Sequence, residues 1–161
     1  MSKKQSISDL DATDQRILSL LQADGTLTHP QLAEQVALSV TPCWRRLKRL
    51  EEDGFITGYQ ANLSRRKLGL DVLAYVQVSF LVVTDQSIRH FEALLQSRPE
   101  VMSCHKVTGQ ADYMLQVVAK DLDAYGDFVE NVLRLVPGVS TIHSSLAMRE
   151  IKTSHQFPIQ P

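Results

Sequence analysis

Residues 28–54 read THPQLAEQVALSVTPCWRRLKRLEEDG, two short amphipathic stretches separated by a turn, the second dense in arginine and lysine. Thr28 is a natural N-cap, and Pro30 falls in the first turn, where a missing N–H costs nothing. Leu32, Ala33 and Val36 give this helix its inward side, and it ends near Ala37-Leu38. Ser39 or Thr41 caps the next helix, with Pro42 again in a first turn. Along it Cys43, Leu47 and Leu50 recur at i, i+4 and i+7, a core-facing stripe. Arg45, Lys48 and Arg49 share another face with Arg46 beside them, and Glu52-Asp53-Gly54 ends the helix. Working back toward the N-terminus, Leu10, Ile17, Leu18, Leu20 and Leu21 mark an earlier helix that stops at Asp24-Gly25. Its acids, Asp11 and Asp14, sit at the end where the helix dipole favours negative charge.

Two helices joined by a short turn, the second with one basic face, describe a helix-turn-helix. A helix fits the major groove, residues in its first turns reach base edges, and Arg and Lys neutralise phosphates. Ser39, Thr41 and Trp44 are therefore candidates for base or sugar contacts, and Arg45, Arg46, Lys48 and Arg49 for phosphate and guanine contacts. Within that set Ser39, Thr41 and Arg45 read as the base readers, and Arg46, Lys48 and Arg49 as the phosphate clamps. On spacing alone the same pattern also suits a three-helix packing module with a solvated basic face, and Trp44 suits a cap on a small core. Charge adds a modest signal, since a charge run also suits a plain solvated face. The whole chain carries a net charge of −1. Residues 1–69 hold ten Lys/Arg against eight Asp/Glu and residues 70–161 hold seven against ten, so the two halves differ in sign. The stretch 41–67 alone is about +4, the asymmetry expected of a nucleic-acid-facing part joined to a part with another task.

Beyond the basic helix, Ile56–Leu63 reads as extended, and the polar connector Ser64-Arg65-Arg66-Lys67 up to Gly69 marks a boundary. The expected organisation is a DNA-binding domain over 1–58, a linker over 59–69 and a second domain over 70–161. In the second, residues 70–83 form a strand in which Ala74, Val76, Val78, Phe80 and Val82 alternate with Tyr75, Gln77 and Ser79. A helix follows over Ser87–Arg98, with Ile88, Phe91, Leu94 and Leu95 inward and Pro99 beyond it. Val101–Val107 and Tyr113–Ala119 read as strands joined by the turn Thr108-Gly109-Gln110-Ala111-Asp112. Asp121 or Asp123 caps a helix whose inward positions are Tyr125, Phe128, Val129, Val132, Leu133 and Val136. Pro137-Gly138 ends it, and Val139–Met148 is the last strand. The order β-α-β-β-α-β is the ferredoxin-like arrangement. The fold class is thus α+β, a helix-turn-helix followed by a βαββαβ domain. Both helices cover one sheet face, so the other needs a cover, most simply a second copy of the chain.

These residues resemble the Lrp/AsnC family of leucine- and asparagine-responsive transcription regulators. The resemblance runs through Leu10-Asp11-x-x-Asp14-x-x-Ile17-Leu18, Leu32-Ala33, Leu38-Ser39, Thr41-Pro42-Cys43 and Arg46-Leu47-x-x-Leu50-Glu51-x-x-Gly54-x-Ile56-x-Gly58-Tyr59. It continues through Gly109-x-x-Asp112-Tyr113 and Pro137-Gly138-Val139, about 150 residues in all. It implies a winged-type helix-turn-helix joined to an effector-binding and oligomerisation βαββαβ domain, in a sequence-specific regulator of transcription on double-stranded DNA whose assembly and DNA affinity respond to an amino-acid effector. It also implies homodimers that assemble further, commonly to octamers, and an effector loop here at Thr108, Gly109, Gln110, Ala111, Asp112 and Tyr113. Backbone N–H groups near Gly109 suit the effector's carboxylate and Asp112 its ammonium. Read without the family, Gly109–Asp112 is an ordinary hairpin turn, where Gly and Asp are favoured anyway. Ser144 and Ser145 are weaker candidates for the pocket wall. Relatives carry larger residues at the position of Ala111, which leaves the effector open among cysteine, leucine, methionine and other amino acids.

Little suggests other chemistry. Cys43 and Cys104 are too few for a disulfide framework and lack zinc spacing. His29, His90, His105, His143 and His155 are dispersed, so no metal site or cofactor is expected, although His105 lies close to the turn. No nucleophile elbow or phosphate-binding glycine loop occurs, and a small enzyme would need a convergent acid–base pair in 70–161 that the sequence does not offer. No catalytic residues are expected. Met1–Asp9 is polar, unlike a secretory signal, and no apolar run approaches the ~20 residues of a membrane helix. A cytoplasmic, nucleoid-associated protein is expected.

Overall fold

The computed structural model describes residues 10–81 and 84–159. The polar stretch Met1–Asp9 and the strand positions Val82 and Val83 lie outside the described residues. The chain divides into two compact units, one running to Asn62 and including the residues from Lys152 onward, the other spanning Leu63–Ile151.

The first unit is built on three helices, α1 (Ala12–Ala23), α2 (His29–Gln35) and α3 (Val40–Glu52). Asp11 caps α1 by accepting the Asp14 N–H at 2.8 Å. Thr28 caps α2 in a reciprocal box with Gln31, so two orphan donors of the first turn are satisfied. The turn into α3 places Ala37 at φ 53°, the left-handed region, where the Leu38 N–H can reach back to the Ala33 carbonyl. Ser39, rather than Thr41, occupies the cap position of α3, but its hydroxyl makes no capping hydrogen bond. Cys43, Leu47 and Leu50 are buried against Leu10, Ile17, Leu18, Leu32 and Ala33, as the stripe required. Residues 56–63, expected to be extended, pair with no strand among the described residues. They are held instead by the Tyr59 hydroxyl, which donates to Glu51 Oε1 at 2.8 Å.

The tail departs from the expected 70–161 span. The Gln22 side-chain amide donates to the Phe157 carbonyl at 3.2 Å and accepts the Phe157 N–H at 2.7 Å. The Gln156 side chain donates to the Gln22 carbonyl at 3.1 Å, and Ile159 packs against the three-helix core. These bonds assign the tail to the first unit.

The second unit has the expected βαββαβ order: β1 (Val72–Phe80), α4 (Asp85–Gln96), β2 (Val101–Lys106), β3 (Tyr113–Ala119), α5 (Leu122–Phe128) and β4 (Val139–Leu146). The sheet order is β2-β3-β1-β4 and every pair is antiparallel. Asp121, not Asp123, caps α5. The helix runs on into a wide turn, Val129–Leu133, where the Arg134 N–H bonds to the Val129 carbonyl five residues back. Ala74, Val76, Val78, Leu115 and Val117 form one sheet face and are buried with Phe91 of α4 and Phe128 and Leu133 from the α5 segment. At one end Phe80, Phe91 and Tyr113 pack edge-to-face, with ring centroids 5.0–6.0 Å apart. On the opposite face the register aligns His143, Gln77, Met114 and His105 in one row across all four strands. The next row is Ser145, Tyr75, Gln116 and Ser103.

Candidate functional site

The exposed side of α3 carries most of the residues expected to meet DNA. Ser39, Thr41, Trp44, Arg45, Lys48 and Arg49 are exposed. Ser39, Thr41 and Arg45 have no side-chain hydrogen bond or ion pair among the described residues, so their polar groups are free for an external partner. Trp44 is not a core cap. Its ring is 42% exposed, and Lys48 Nζ sits 5.3 Å from its centroid, a cation–π contact that props the indole outward. Lys48 also lies 3.7 Å from Glu52 one turn on.

Two arginines are oriented inward by a group the sequence reading assigned only to the helix dipole. Asp14 is 1% exposed, on the apolar side of α1 with Ile17 and Leu18. Arg46 donates through Nη1 to Asp14 at 2.8 Å and to Asp11 at 2.6 Å, and Arg49 donates to the second oxygen of Asp14. The Asp14 N–H, then the Arg46 guanidinium, hold the Asp11 carboxyl below its ordinary value. Arg46 is thereby engaged within the unit, and Arg49 keeps only the N–H groups facing away from Asp14. The signal was present in the sequence. Leu10, Asp14, Ile17 and Leu18 share one helical stripe, and a carboxylate in such a stripe needs a cationic partner.

In the second unit the turn after β2 is built around Asp112. The Asp112 carbonyl accepts from Val107 N–H at 2.9 Å, its own N–H donates to the Val78 carbonyl at 3.0 Å, and its Oδ2 accepts the Phe80 N–H at 2.8 Å. The side chain thus fastens the turn to the end of β1, and its Oδ1 accepts no hydrogen bond among the described residues. Gly109 has φ 115°, a conformation that L side chains rarely adopt, which explains glycine at the tip. Ser79 Oγ donates to the Gln110 carbonyl at 3.3 Å, while Thr108, Gly109 and Gln110 are exposed and Ala111 is half-buried. Tyr113 is not a loop residue in its contacts. Its ring is buried and its hydroxyl donates to Glu92 Oε1 at 3.0 Å; burial, and then this bond to the Glu92 carboxylate, push its pKa up to about 12.

Ser144 and Ser145 are not brought together with the turn. Ser144 pairs with Val76 on the helix-covered face and bonds the Tyr125 hydroxyl, whereas Ser145 pairs with Tyr75 on the opposite face. Their partners Val76 and Tyr75 lie two and three residues along β1 from Val78, whose carbonyl accepts the Asp112 N–H, and four and five from Phe80, a separation from the turn of roughly 7–17 Å at the rise of a strand. Among the described residues no group of three or more His, Cys, Asp or Glu side chains is placed to hold a metal ion. No helix of the described residues is long and apolar enough to cross a membrane.

Comparison with known proteins agrees with this geometry. Residues 10–57 match a winged helix-turn-helix DNA-binding family model, and residues 73–157 match the Lrp/AsnC ligand binding domain. The Bkd operon transcriptional regulator of Pseudomonas aeruginosa is 43% identical over 95% of this chain and all of its own length. The DNA-binding transcriptional activator DecR of Escherichia coli is 38% identical over 94% of this chain and 99% of its own. A transcriptional regulator from Neisseria meningitidis, crystallised as its L-Met complex, superposes with a TM-score of 0.89 at 41% identity, covering 92% of this chain and 96% of that one.

Proposed function

Because this chain belongs to the Lrp/AsnC family of DNA-binding transcriptional regulators, we propose that α3 reads operator DNA and that the turn at 108–112 of its amino-acid-binding domain holds the effector. The family is one of regulators rather than enzymes. The observation that carries the DNA reading is the uncommitted row Ser39, Thr41 and Arg45 at the N-terminal half of a helix whose other side is buried. These three take base edges, Trp44 takes a sugar, and Lys48 and the outer side of Arg49 take phosphates. Arg46 serves as a strut between α1 and α3 rather than as a phosphate clamp.

The effector is an amino acid, with methionine, leucine and cysteine as the first candidates; the Neisseria meningitidis relative carries L-Met. Its ammonium meets Oδ1 of Asp112, and exposed backbone N–H groups beside Gly109 receive its carboxylate. Ser144 and Ser145 fall outside this binding set. The sheet face of Tyr75, Gln77 and His143 pairs with a second copy, the dimers assemble to an octamer, and the protein acts in the cytoplasm on the nucleoid.

A mobility-shift titration on the gene's own promoter region, repeated at several salt concentrations and with each of the twenty amino acids, tests this reading. Binding should weaken with a log–log salt slope of about −0.9 per phosphate contacted, and one amino acid should shift the curve. No complex at low salt would overturn the DNA assignment. Light scattering at micromolar concentration that returned a monomer would overturn the assembly.

A further inference from the structure

A cleft of about 350 Å³ opens between α4 and β2, at the low end of the range for small-molecule sites. Its α4 wall is Glu92, Leu95 and Gln96, at the i, i+3 and i+4 spacing that puts them on one face. Its strand wall is Val101, Ser103, Cys104 and Lys106, of which Cys104 and Lys106 pair with the buried Leu115 and Tyr113. The cleft therefore has an apolar floor, Leu95 and the Tyr113 ring, and charged rims of opposite sign.

Those rims do not satisfy each other. No ion pair joins Lys106 to Glu92 among the described residues. One carboxylate oxygen of Glu92 accepts the Tyr113 hydroxyl at 3.0 Å, and that bond fixes the carboxylate at the cleft mouth with lone pairs to spare. Burial and the neighbouring Glu92 charge push the Cys104 thiol up, so the sulfur is a neutral, polarisable part of the wall. A ligand that uses every feature has a cation for Glu92, an anion for Lys106 and Gln96, and a short apolar or sulfur-bearing side chain for the floor.

We propose that this cleft binds a free α-amino acid with a small apolar or sulfur-containing side chain, at a site separate from the Asp112 turn. The proposal rests on the amino-acid-binding reading above, and adds to it a second place of binding on the same unit.

Cys104 gives a local readout, because Cys43 is only 1% exposed. The full-length protein is labelled with N-ethylmaleimide, with and without L-methionine, and followed by intact mass while calorimetry measures binding. Saturating L-methionine should slow the Cys104 labelling about fivefold or more. N-acetylmethionine, which lacks the ammonium, and methionine amide, which lacks the carboxylate, should not protect. Glu92→Gln and Lys106→Met should each weaken protection about tenfold, as expected for loss of one charge-assisted contact, with melting temperatures unchanged. Asp112→Ala should keep the protection. Heat of binding without any change in labelling would overturn the cleft and leave the turn as the site. Protection that survives Glu92→Gln but vanishes in Asp112→Ala would do the same. No heat from any of the twenty amino acids would overturn both readings.

Discussion

Asp14→Asn removes one negative charge from the first unit and almost no volume. In the native protein that charge is 1% exposed and faces two guanidinium groups, Arg46 at 2.8 Å and Arg49 on its other oxygen. A pair of unit charges 4 Å apart attracts by about 4 kcal/mol at an effective dielectric of 20, and desolvating Asp14 offsets much of this. Removing one partner of a fully buried pair costs about 3–5 kcal/mol. Arg46 and Arg49 are 31% and 50% exposed, so both can take up water when Asp14 is neutral, and Arg46 keeps Asp11. The expected loss is therefore about 2 kcal/mol, against the 0–1 of a surface pair. For a unit of this size that lowers the melting temperature by roughly 10 °C. Scanning calorimetry of the full-length protein reads it, with Arg46→Met as the partner substitution because it keeps the aliphatic stem. The double variant should be less destabilised than the sum of the singles by about 1 kcal/mol. A loss under about 0.5 kcal/mol, or strict additivity, would refute the strut.

Three other outcomes follow from the same geometry. Lys48→Ala should flatten the salt dependence of DNA binding by about 0.9 in log–log slope, whereas Arg46→Met should leave the slope unchanged; the reverse pattern would exchange their roles. Asp11 is held below its ordinary carboxyl value of 3.8. A depressed carboxyl contributes stability above its unfolded pKa that is lost as pH falls through the folded one, so the first unit should weaken below about pH 4, and Asp11→Asn should flatten that acid limb in a pH series of unfolding curves. Ala37 sits at φ 53°; Ala37→Val places a β-branched residue there and should cost about 1–2 kcal/mol in urea titration, and an unchanged midpoint would mean the turn relaxes freely.

The elements were legible because each has a dominant local cause. The stripe Cys43, Leu47, Leu50 and the alternation Ala74, Val76, Val78 state their periods outright, and Thr28 and Asp121 announce the helix starts they cap. What escaped depended on partners distant in sequence. Asp14 reads as a dipole residue until α3 is folded against it and supplies Arg46 and Arg49, 32 and 35 positions away. Ser144 and Ser145 looked like neighbours in a pocket wall, yet the period of a strand sends them to opposite faces. The cleft at Glu92 and Lys106 joins a helix to the edge strand and leaves no mark in either stretch alone. The tail over 152–159 has no periodicity, since backbone groups hold much of it.

Anchoring through the main chain governs how freely the tail can change over evolutionary time. The Gln22 side chain offers one donor and one acceptor at the spacing of a peptide group, and it pairs with the N–H and carbonyl of Phe157 while the Phe157 ring stays 78% exposed. An attachment read through the main chain is blind to side-chain identity. Position 157 can then drift through every residue except proline, which lacks the N–H. At this bond the selective constraint falls on Gln22 rather than on position 157, because leucine has neither group and glutamate has no donor. A library randomised at 157 should keep its tail protected from carboxypeptidase, and Gln22→Leu should weaken that protection while the Gln156 bond and the packing of Ile159 remain.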